Sequence, residues 1–76
     1  MKYSLVMIET LKPGDRFVQI EQQGYGMLSK PVAYVVFGRE MDDWTYAMAT
    51  RAVIVGDKSC CRYHFSAGSL VFAEDP

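Results

Sequence analysis

The sequence predicts an all-β fold from three observations. Its apolar residues come in short runs rich in β-branched and aromatic side chains, turn-forming Gly, Pro, Asp and Ser separate the runs, and no segment sustains the spacing of a long amphipathic helix. At 76 residues the chain has room for one core, since domains run about 50–250 residues, so residues 1–76 are read as a single domain. Half of the residues are apolar and 13% are aromatic, enough to build that core.

The elements follow in order. Lys2 to Glu9 is a first apolar strand, and Leu11 to Asp15 reverses the chain. There Pro13 presets φ for the first corner of a turn and Gly14 supplies the positive φ that a type II turn demands next. Arg16 to Glu21 is a strand with Phe17 and Gln19 on one face and Val18 and Ile20 on the other. Gln22 to Pro31 has no period and carries Gly24 and Gly26, which predicts a long, exposed, mobile connection with Tyr25 at its tip.

Val32 to Phe37 is an uninterrupted apolar run and reads as a central strand buried on both faces. Gly38 to Asp43 reads as a charged loop. Trp44 to Arg51 reads as a strand with Trp44, Tyr46 and Met48 on one side. A helix capped by Asp42 or Asp43 competes for this segment, because Trp44, Ala47, Met48 and Arg51 recur at helical spacing. The strand is preferred because Trp44, Thr45, Tyr46 and Thr50 favour strands and Ala52 to Val55 continues the register without a helix stop. Gly56 to Ser59 is a hairpin turn, Cys60 to Phe65 a returning strand, and Ser66 to Ser69 a tight turn taken as one turn of 3₁₀ helix. Leu70 to Phe72 closes the sheet, and Ala73 to Pro76 is a frayed tail. Five to six antiparallel strands, one long early loop and a short 3₁₀ turn before the last strand describe a small SH3-like barrel, whose closure removes exposed strand edges.

The segment Leu11-Lys12-Pro13-Gly14-Asp15-Arg16-Phe17 resembles the opening turn and strand of very small SH3-like barrel proteins encoded by bacteriophages and mobile elements. His64-Phe65-Ser66-Ala67-Gly68-Ser69-Leu70-Val71 is similar to the way such chains close. Together these cover under a quarter of the chain, and the middle matches no pattern. The resemblance implies a viral protein that binds and blocks a host or defence component, a group that includes inhibitors of CRISPR interference complexes. It carries over no catalytic residue.

Composition narrows the function. Eight Lys and Arg against nine Asp and Glu give a net charge of −1 with the signs interspersed, so the basic excess that phosphate neutralisation calls for is missing. The apolar stretch Leu5 to Ile8 ends at Glu9, short of a signal core of about 7–15 residues or a membrane span of about 20. The expectation is a cytoplasmic protein, in the host cytoplasm if phage-encoded. Cys60 and Cys61 are neighbours that point to opposite faces of a strand, so no disulfide framework is available. Cys60 and His64 in one strand lie roughly 13 Å apart, too far for a shared zinc or a nucleophile pair. Glu40, Asp42 and Asp43 lack the spacing of a calcium loop, and Gly24-Tyr25-Gly26 lacks the lysine and helix of a phosphate cradle.

Without a nucleophile–base pair or a cofactor fingerprint, the chain reads as a non-catalytic protein-binding module with no cofactor and no metal. Phe17, Phe37, Phe65 and Phe72 are assigned to the core by alternation, leaving exposed Tyr and Trp as interface anchors. The candidate contact residues are Tyr25, Arg39, Glu40, Asp42, Asp43 and Trp44, with the acidic group engaging a basic groove on a host or defence protein. Two other readings remain open. One is a nucleic-acid-binding barrel using Trp44, Tyr63 and scattered Arg and Lys; the other is a subunit of a homo-oligomeric or viral assembly paired through Lys2 to Glu9.

Overall fold

The computed structural model describes residues 2–22, 25–26, 29–57 and 62–75. Among them, β1 (Tyr3–Met7), β2 (Arg16–Gln22), β3 (Ser29–Asp42), β4 (Ala47–Ile54), β5 (Tyr63–Ser66) and β6 (Leu70–Glu74) form one antiparallel sheet. The strand order is β1-β6-β2-β3-β4-β5, so the sheet is open, with β1 and β5 at its edges. Strands β2 to β5 are a meander, and β6 returns to lie between β1 and β2.

The first reversal forms as its residue types require. Asp15 N–H donates to Lys12 O at 3.0 Å with Gly14 at φ +94°, the conformation that a Cβ disfavours. Asp15 also accepts the Lys12 N–H through Oδ2 at 2.9 Å. Gly14 N–H to Val36 O (2.9 Å) and Val36 N–H to Asp15 O (2.8 Å) tie the turn to the middle of β3.

Alternation sends Phe17, Tyr34, Val36, Ala52, Val71 and Ala73 to one face, where they bury with Ile8 and Leu11. Phe17 stacks on Tyr34, and Phe65 meets both rings edge-on, each pair with centroids 5.3 Å apart. Phe17 on β2 and Phe65 on β5 are three strand spacings apart, about 14 Å in a flat sheet. Their contact therefore means that the sheet curls over this core.

Several expectations are corrected. The 3₁₀ helix lies at Ile8–Thr10, after β1. Ser66 to Ser69 is instead a plain turn closed by Ser69 N–H on Ser66 O at 3.2 Å, with Gly68 N–H bonded to Glu9 Oε2 at 2.7 Å. Ala73 and Glu74 belong to β6, and Ala73 is buried. The β2–β3 ladder runs to Gln22↔Ser29, so the connection around Tyr25 is shorter than the ten-residue loop expected. Lys58 to Cys61 lie outside the described residues, and β5 begins at Tyr63.

The largest correction concerns β3. It is central as expected, yet it is buried on one face only: Tyr34 and Val36 point inward while Pro31, Ala33 and Phe37 are exposed. Nor does it end at Phe37. Register passes from Val36↔Ala52 to Gly38↔Arg51, so Phe37 is an extra, bulged residue and the strand continues through the supposed loop to Asp42. Phe37, 53% exposed, and Phe72, 41% exposed, are consequently not core residues.

Candidate protein-binding surface

The bulge sets the facing of the charged segment. Gly38, Glu40 and Asp42 lie opposite Arg51, Ala49 and Ala47 on one face, and Arg39 and Met41 lie opposite Thr50 and Met48 on the other. Arg39 Nη2 accordingly reaches the Leu11 carbonyl at 2.9 Å, bracing the first turn. Glu40 forms an ion pair with Arg51 on the neighbouring strand. Two of the residues expected to contact a partner are thus engaged within the chain.

Beyond Asp42 the chain turns through Asp43, Trp44, Thr45 and Tyr46 before re-pairing at Ala47. Asp42 organises this tip twice. Its Oδ1 accepts the Trp44 N–H at 2.8 Å, a side-chain turn typical of Asp, and its carbonyl accepts the Tyr46 N–H at 2.8 Å. Tyr46 adopts φ +55°, the only described non-glycine residue with positive φ, a conformation that costs a bulky L-residue about 1–2 kcal/mol. Trp44 and Tyr46 are therefore turn residues, not members of a strand face, and they stand 92% and 81% exposed.

Tyr25 is fully exposed in the β2–β3 turn. That turn and the Trp44 tip lie at opposite ends of β3, 14 residues long, so Tyr25 and Trp44 do not form one contact surface. Among the described residues, no three His, Cys, Asp or Glu side chains converge where a metal ion could be held. The zinc reading of Cys60 and Cys61 falls outside the described residues. Among the described residues no helix is long and apolar enough to cross a membrane.

A second surface extends beyond the Lys2 to Glu9 segment expected to pair between chains. Ladder partners share a face, so Tyr3, Leu5 and Met7 of β1 stand beside Leu70 and Phe72 of β6, with Val18 and Ile20 of β2 next to them. Tyr3, Val18, Ile20, Pro31 and Phe72 line an apolar groove of about 380 Å³ on the side of the sheet away from the core. A signal for it exists in the unbroken runs Leu5 to Ile8 and Leu70 to Phe72, since continuous apolar residues in a strand ask for burial on both faces.

Comparison of the chain with known protein families, with curated proteins and with solved structures returns no match.

Proposed function

We propose that this chain is a non-catalytic protein-binding module of SH3-like barrel type, which grips its partner with the β3–β4 hairpin tip. The observation that carries the reading is the presentation of Trp44 and Tyr46, nearly bare of neighbours, on a turn held by two hydrogen bonds to Asp42. Trp and Tyr supply large rigid contact area and dominate the energetics of protein interfaces. An ordered tip lowers the entropic cost of immobilising them. Asp43, exposed beside Trp44, adds negative charge that favours a basic groove. Support for the barrel type comes from the order β6-β2-β3-β4-β5, a meander whose last strand returns beside its first, and from the curl that brings Phe65 onto Phe17. The likeness of both chain ends to bacteriophage-encoded barrels supports a host or defence protein complex as the target, with the chain as its inhibitor.

Affinity capture from a bacterial lysate, followed by titration of the protein recovered, tests this reading. Trp44→Ala should weaken that complex about 30-fold or more, the effect of removing a central interface aromatic, while leaving the circular dichroism spectrum unchanged. Unchanged affinity of a folded double variant, Trp44→Ala with Tyr46→Ala, would discard the hairpin as the contact. Salt-dependent retention on nucleic acid, lost in the same variants, would replace a protein target by a nucleic-acid one.

A further inference from the structure

We infer that the outer apolar face of β1, β6, β2 and β3 is covered by a second copy of this chain in a two-fold dimer. Six large apolar side chains, Tyr3, Leu5, Met7, Ile20, Leu70 and Phe72, stand 41% to 57% exposed on this face, together an area on the order of the 800 Å² that one partner brings to a stable interface. Scattered apolar side chains are normal on a monomer, but a contiguous area of this size marks an interaction site. Its composition favours a permanent, self-made contact. Interfaces between identical subunits are more apolar than transient ones, and among the described outer-face residues of β1, β6, β2 and the part of β3 up to Val35, charge is confined to Arg16 and Glu74, on the row beside Tyr3.

The relief of the face supplies the second argument. Leu5, Met7 and Leu70, from 46% to 57% exposed, form a cluster at the β1–β6 corner through the pairs Leu5↔Phe72 and Met7↔Leu70. The groove floored by Val18 and Phe72 lies immediately beside it. A two-fold interface requires one patch to carry both a projection and the hollow that receives it, because each residue pair occurs twice with roles exchanged. This face carries both, side by side, from different residues. The Trp44 tip is no part of the contact, so the inference stands independently of the proposed function.

Sedimentation of the full chain under reducing conditions, from about 1 to 200 µM, tests it. The wild-type protein should run at twice the 8.6 kDa chain mass in the upper part of that range, and Trp44→Ala should match it. Leu70→Glu and, separately, Leu5→Lys should run as folded monomers, with self-association weakened at least 100-fold. Should either variant fail to fold, the urea midpoint of the wild-type protein decides, since a dimer's midpoint rises with protein concentration and a monomer's does not. Wild-type protein at 8.6 kDa throughout, a concentration-independent midpoint, or a folded Leu70→Glu dimer would each overturn the inference.

Discussion

On its inner face the sheet carries Phe17, Tyr34 and Phe65 with ring centroids 5.3 Å apart, whereas on its outer face Val18 and Ile20 of β2 and Phe72 of β6 border an open groove. Both sets are apolar, so hydrophobicity alone does not separate core from surface. What separates them is curvature. A curling sheet brings the residues of its concave side from β2 and β5 into mutual contact, and it moves those of its convex side apart. The inner face can satisfy itself within one chain, and the outer face needs material from outside.

Two phenylalanines turn this contrast into a measurement. Phe17 is fully buried, and Phe17→Ala should cost about 3–5 kcal/mol. That is a large part of the total available to 76 residues, on the order of 4–11 kcal/mol, so urea denaturation should find the variant barely folded. Phe37 is 53% exposed and its ring lies under the Arg62 guanidinium, 4.2 Å from Cζ to centroid. Phe37→Ala should cost only about 1 kcal/mol in the same assay. Equal losses at the two sites would break the distinction between the faces. A third environment sharpens it, where exposure is nearly complete and the backbone is strained. Tyr46→Gly should stabilise the fold by about 0.5 kcal/mol, because glycine accepts positive φ without penalty while adding freedom to the unfolded chain.

Local chemistry made much of the fold legible in the sequence. The Pro13-Gly14 reversal and the facing of Phe17 against Val18 each rest on one residue type with one strong preference, and the strand expected after Asp43 is present from Ala47 onward. The helix alternative for the segment from Trp44 to Arg51 loses because Thr50 and Ala52 bury against strand neighbours. What escaped the sequence reading depends on distant partners. The run from Val32 to Phe37 looks the same whether a strand is covered on both faces or on one, and nothing near Phe72 reveals that its face lacks a neighbour in the chain. Gly38 and the charges after it resemble a loop because a bulge interrupts the alternation that would have marked them as strand. The candidate contact residues divide accordingly: the side chains of Asp43 and Trp44 are exposed at a tip, while Glu40 pairs across the sheet with Arg51 and Arg39 is held on the Leu11 carbonyl of the first turn.

Phe37 has a consequence for how this sequence can change length. Two residues, Phe37 and Gly38, span a step for which the opposite strand uses one. Losing either Phe37 or Gly38 would leave the other facing Arg51 and the row from Arg39 to Asp42 on its present sides, whereas losing a single residue between Arg39 and Asp42 would swap the faces of everything between the lesion and the hairpin tip. The strand thus contains one step where its lineage could shed a codon and keep its phase.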